Sequence, residues 1–193
     1  MLEELSGLLQ GDTLNSIASA VGADPASVTK GLSAAIPALI GALATQSKTP
    51  EGAAGMFDTI SKNFDGNLLN NLGSLTSNPL VANGLPFLQG ILGDSQGATE
   101  DKIAKASGLN AGIIGRLLPI LAPIVLSYVG KMIKTNGMNA TDLTGFMSDQ
   151  QGFARAAAPG LLGWLENIDA NDDGSVLDDL GRLAGRLFGK SGS

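Results

Sequence analysis

Asp24-Pro-Ala-Ser-Val-Thr-Lys-Gly-Leu-Ser-Ala-Ala-Ile-Pro-Ala-Leu-Ile-Gly-Ala-Leu-Ala44 is the stretch on which the fold turns. It opens with an aspartate suited to cap a helix and a proline suited to the first helical position. It then runs apolar on nearly every side, which predicts a helix buried in a core. Pro37, in mid-segment, predicts a kink or a break into two pieces. The same plan recurs after Asn110, with Pro123 in the place of Pro37.

The recurrence extends outward. A shift of 86 residues lays 2–64 on 88–150 without a gap, with 14 of 63 positions identical, seven of them among the 13 from Gln10 to Gly22. Ile17-Ala18 meets Ile103-Ala104, Gly22 meets Gly108, and Lys48-Thr49 meets Lys134-Thr135. Apolar character persists where identity fails, as in Val28 with Ile114 and Phe57 with Leu143. Such self-similarity marks an internal duplication. Each repeat reads as four short helices. A leucine-rich first helix ends at Gly11 or Gly97, and a second is opened by Asp12 or Thr99 and closed by Gly22 or Gly108. The long third helix follows, and Thr49-Pro50-Glu51 opens a fourth. No run alternates with period two for long enough to be a strand. The predicted architecture is all-α and multihelical. It comprises a repeat over 1–64, a connecting segment over 65–87, a second repeat over 88–150 and a C-terminal helix-loop-helix over 151–193, packed as one unit.

Composition narrows the chemistry. The chain has 193 residues, no His and no Cys, with 44% hydrophobic and 16% charged residues. A chain of that size and composition can bury a proper core. The empty His and Cys columns remove Ser-His-Asp and Cys-His catalysis, zinc fingers, disulfides and redox thiols. The net charge of −6, with Lys and Arg scattered singly, disfavours nucleic acid, whose phosphates supply most non-specific affinity. No glycine motif resembles a phosphate cradle. Met1-Leu2-Glu3-Glu4 lacks the features of a signal peptide, which gives the cytoplasm by default. The most apolar run, Leu117 to Gly130, is 14 residues long and contains Pro119 and Pro123. A spanning helix needs ~20 apolar residues, so this run reads as a core helix and no membrane span is expected.

Within each repeat, Ala18, Gly22 and Val28, or Ala104, Gly108 and Ile114, carry the spacing of a helix-turn-helix. A DNA reader would present Arg, Asn, Gln or Lys to base edges. The second helix of the pair offers Ala26, Ser27, Thr29, Lys30 and Ser33, or Gly112, Ile113, Gly115 and Arg116. One basic residue per helix reads poorly, and the geometry is better suited to packing. Lys30 and Arg116, equivalent under the repeat, could hold an anion, although solvated surface residues are the simpler reading. Trp164 and Tyr128 read as core or interface residues.

The sharpest local pattern is Asp169-Ala-Asn171-Asp172-Asp173-Gly174-Ser175-Val176-Leu177-Asp178-Asp179. Oxygen ligands at positions one, three, five and seven (Asp169, Asn171, Asp173, Ser175), Gly at six and a branched apolar residue at eight match the start of a calcium loop. A bidentate Glu should stand at position twelve, but Leu180 is there, so Asp178 or Asp179 would have to close a shortened loop. Ca2+ is the expected ion and Mg2+ the lesser candidate. The competing reading is an Asx-rich turn whose acids complement the following helix dipole.

The duplicated Ile-Ala-x-x-x-Gly unit, Leu-Leu-Pro-Ile-Leu-Ala-Pro-Ile at 117–124 and the closing acidic loop together resemble the bacterial domain of unknown function 937 family, related to the YidB proteins. The resemblance covers nearly the whole chain and implies a small multihelical bacterial protein with no assigned activity. The family pattern has Asp where this chain has Asn171, which loses a charge and keeps an oxygen ligand. The leading expectation is a non-enzymatic structural or interaction module that binds calcium at 169–179. Protein partners or self-association would suit its Gly-rich helix crossings. A helix-turn-helix-derived DNA-binding protein is the alternative. A carboxylate-dependent hydrolase is the remote one, since no two acids outside the loop are placed for it.

Overall fold

In the computed structural model, residues 2–72 and 79–157 are described, and every regular element among them is helical. The chain forms α1 (Leu2–Leu8), α2 (Asp12–Val21), α3 (Pro25–Gln46), α4 (Pro50–Asn63), α5 (Asn67–Asn70), α6 (Pro79–Ala82) and α7 (Gly84–Leu92). A 3-10 turn (Gly93–Ser95), α8 (Gln96–Ser107), α9 (Ala111–Asn136) and α10 (Ala140–Ala157) follow.

Local chemistry sets most boundaries. Asp24 caps α3, accepting from the Ser27 amide at 2.9 Å and the Ser27 hydroxyl at 2.6 Å. Asn110 caps α9 through the Gly112 amide at 2.7 Å, and Thr49 caps α4 through the Gly52 amide at 3.1 Å. Asn139 and Asp142 form a reciprocal cap on α10, which runs on through residue 150. Gly22 and Gly108 end α2 and α8 in the left-handed region, with φ of 71° and 72°. That region carries little penalty for glycine.

Three local expectations, the caps at Asp12 and Thr99 and the turn at Gly97, are corrected. Of the kink or break expected at Pro37 and Pro123, the break does not occur: α3 and α9 are single elements of 22 and 26 residues, with Pro119 also inside α9. A mid-helix proline removes one backbone bond and costs about 3 kcal/mol. Burial of the surrounding apolar side chains, at ~1.5–3 kcal/mol each, outweighs that loss. Asp12 is the first residue of α2 and supplies no side-chain cap. Thr99 lies inside α8, buried, with its hydroxyl donating to the Ser95 carbonyl at 2.8 Å. The turn expected at Gly97 sits at Gly93, whose backbone (φ 51°, ψ −136°) matches that of Gly11 (φ 60°, ψ −129°). The 3-10 turn after Gly93 starts α8 at Gln96, three residues before Thr99.

Consecutive elements usually neighbour one another. Here the long helices take much of their cover from the far end of the chain. α10 lies along α3 and against α4, α8 packs on both α3 and α9, and α4 packs more on α9 than on α3. α7 covers α9, and α5 and α6 also lie against it. The core is built from side chains such as Leu39, Ile40 and Leu43 of α3 and Leu117, Leu121 and Ile124 of α9. Two glycines permit close approaches: a Cβ on Gly84 would collide with the Pro119 carbonyl, and one on Gly130 with the Phe64 carbonyl. By length and composition α3 and α9 could each cross a membrane; 78% and 67% of their most apolar windows are buried in this fold.

Candidate functional site

α2 and α3 meet across Gly22, and α8 and α9 across Gly108. Ala18 and Val28, like Ala104 and Ile114, are buried at the crossings. The outward residues of the second helices are largely committed to their own backbone. Thr29 donates to the Pro25 carbonyl at 2.9 Å, Ser33 to the Lys30 carbonyl at 2.8 Å, and the Arg116 Nε to the Gly112 carbonyl at 3.1 Å. Lys30 and Arg116 are both exposed. That surface offers little to a base edge.

Asp169, Asn171, Asp173, Ser175, Asp178 and Asp179 lie outside the described residues, as does Trp164. Among the described residues, no group of three or more acids is placed to hold a metal ion.

Two ionic features stand out elsewhere. The buried Tyr128 hydroxyl donates to the Glu4 carboxylate, which holds Glu4 below the ordinary carboxylate range. Burial, and then Glu4, push the phenol above its ordinary range. The Ser27 hydroxyl and amide hold the Asp24 carboxyl low. These serve helix docking and capping.

A cleft of about 570 Å³ opens between the C-terminal end of α3, α4 and α7. Leu43, Met56, Ile60, Ile91 and Leu126 make a buried apolar floor, and exposed Gly55, Thr59, Pro86 and Gly90 are among the residues nearer the mouth. Gln46 ties two walls together, its Nε2 donating to the Gly90 carbonyl. Phe87, packed edge-on against Phe64 at 4.7 Å between centroids, completes one side. Among the described residues, no ionisable side chain lines the cleft. Reading by motif passes over these residues, because no single segment holds the site. The available signal is a row of small residues on α4, Gly52, Gly55 and Thr59, one and two turns apart.

The family described as bacterial protein of unknown function, DUF937, matches residues 3–132, about two thirds of the chain. The chain belongs to this family. No curated protein and no solved structure matches it. The DUF937 match runs from α1 through most of α9, narrower than the near-complete resemblance expected from the motifs. All the residues lining the cleft fall within the DUF937 span, whereas α10 and the acidic loop at 169–179 fall beyond it.

Proposed function

We propose that the chain is a non-enzymatic helical interaction module, built from two tandem repeats, whose 169–179 loop takes up a calcium ion. The observation that carries the interaction-module reading is the α3–α4–α7 cleft, whose lining among the described residues combines a buried apolar floor with threonine hydroxyls. The repeat reading is supported by the paired caps Asp24 and Asn110 and the paired left-handed glycines Gly22 and Gly108. A role in association is supported by exposed apolar side chains on two helices, Phe153 of α10 at 66% and Leu85 of α7 at 51%. The burial of α3 and α9 supports reading them as core helices of a bundle and not as membrane spans.

The calcium reading rests on the alternating oxygens of Asp169, Asn171, Asp173 and Ser175, the Gly174 turn, and a closing carboxylate from Asp179 or Asp178. Five Asp within eleven residues, with no Lys or Arg among them, repel one another unless a cation sits between them. Titration calorimetry of the full chain with calcium tests this, with Asp173→Ala as the control. Heat of binding and a raised melting temperature in the parent, both lost in the variant, are expected. No heat and no shift at millimolar calcium overturn the metal site.

A further inference from the structure

We propose that the chain pairs with a second copy of itself by exchanging repeats, so that the first repeat of each copy closes on the second repeat of the other. This rests on the tandem-repeat reading and adds a partner to it. The basis is the way the repeats share their cover. The fourth helix of each lies on the long helix of the other: α10 runs along α3 and barely meets α9, and α4 packs more on α9 than on α3. α8 likewise packs more on α3 than on α9. Neither repeat encloses its own long helix.

Polar ties follow the same rule. Thr144 of α10 donates to the Ser47 carbonyl at 3.2 Å, Tyr128 of α9 to Glu4 of α1, and Gln46 of α3 to the Gly90 carbonyl of α7. Each joins one repeat to the other. Between the repeats, the described residues form two four-residue helices, α5 and α6. Helices that short cannot by themselves hold two repeats in one relative placement.

One contact sets which repeats fit. Gly31 of α3 and Leu117 of α9 are equivalent positions, 86 residues apart, and they meet: a Cβ added at Gly31 would come within 2.9 Å of the Leu117 side chain. Contact between equivalent positions is what a two-fold arrangement produces at its axis. One position is a hole and the other a knob, so a first repeat fits a second repeat. Two first repeats would leave a void between their glycines, and two second repeats would drive two leucines together. Two copies satisfy the rule by exchange, with two complete interfaces in one closed dimer. Monomer and dimer make the same contacts, so concentration decides between them. The dimer gains once the chain exceeds the effective concentration at which its own repeats meet, which is millimolar for short flexible connections.

The test uses the full chain, which has no cysteine of its own. Exposed Lys48 and Thr141 line one cleft between the end of α3 and the start of α10, and they belong to different repeats. One preparation carries Lys48→Cys and a second carries Thr141→Cys. The two are unfolded, mixed, refolded at millimolar concentration, diluted and treated with a short bismaleimide. A covalent product joining the two kinds of chain is expected, with the helical circular dichroism of the parent. Its absence overturns the exchange. Equal yield from chains refolded separately at micromolar concentration and then mixed also overturns it, because surface contact would suffice. A chain with both substitutions, refolded at micromolar concentration, should close the link internally, and failure there overturns the α3–α10 arrangement on which exchange depends. Gly31→Leu should lower the melting temperature and abolish the crosslinked dimer, and Leu117→Gly in the same chain should restore part of both. No restoration overturns the pairing of equivalent positions. A restored melting temperature without the dimer overturns the exchange and leaves the repeats standing.

Discussion

Tyr128 on α9 donates its phenolic proton to Glu4 on α1, joining residues 124 apart in sequence. The bond fastens the first helix of the chain to the core helix that is completed last. The bond holds Glu4 below its ordinary range, while burial first and Glu4 second push Tyr128 above its own.

Tyr128 is the only tyrosine, so its ionisation can be followed alone by phenolate absorbance. Its pKa is raised in the folded protein, by burial first and Glu4 second. The associated stability is present in full below the unfolded value near 10 and is lost as pH rises through the folded value. The phenolate signal should therefore appear later than in an unfolded chain and coincide with loss of helical circular dichroism. A free titration near pH 10 with the fold intact would contradict the Glu4 contact.

The same pair makes a prediction at low pH. Glu4 is held low, so its contribution is present above the ordinary carboxylate range and is lost as pH falls through the folded value. Tyr128→Phe should lower the melting temperature at pH 7. The gap between variant and parent should close on acidification below pH 4. A gap that stays constant with pH would show that packing, and not the hydrogen bond, is what the substitution removes.

Glycines sort into two classes with opposite outcomes. Gly130→Ala drives a methyl into the Phe64 carbonyl and Gly84→Ala drives one into the Pro119 carbonyl, so each should destabilise by about 1–3 kcal/mol or more. Gly7→Ala, in α1 with nothing near its Cβ, should be neutral or stabilising by up to ~1 kcal/mol. Chemical denaturation of the three variants decides it.

Loss of a cap should be felt equally at two unrelated places. Thr49→Ala and Asn110→Ala each remove a side-chain acceptor from a helix start, and each should cost about 1 kcal/mol. Glycine at either position should recover most of the loss, because it restores access for water. Recovery would be absent if the side chain acted mainly through packing.

Cover for α3 comes from α10, and Leu143 and Met147 of that helix are fully buried. Leu143→Ala should cost about 2–5 kcal/mol, comparable to a substitution in α3 itself. Unfolding should remain one transition reported alike by both halves of the chain. Two separated transitions would mean that α10 is peripheral to the cooperative unit.

The helices were legible because their punctuation is local: Asp24-Pro25, Thr49-Pro50, Gly22 and Gly108 act on their own turns. The offset around Gly93 was hidden, since an ungapped register places Gly97 opposite Gly11 and passes over a 3-10 turn that moves the helix start. An all-apolar helix announces burial but not what buries it, so the pairing of α3 with α10 could not be read from periodicity. The cleft was illegible for a related reason. Thr45, Gly55 and Gly90 look ordinary within their own segments and acquire meaning only where α3, α4 and α7 converge.

The distant cover of α3 also has a consequence for synthesis. α3 is complete at residue 46, whereas α10 begins at residue 140, more than ninety residues later. At an elongation rate of about 5–20 residues per second, the newborn helix waits roughly 5–20 s for that partner. Throughout that interval a 22-residue apolar segment stands beside the ribosome without its finished surroundings. The packing around α3 is therefore completed only after α10 has emerged.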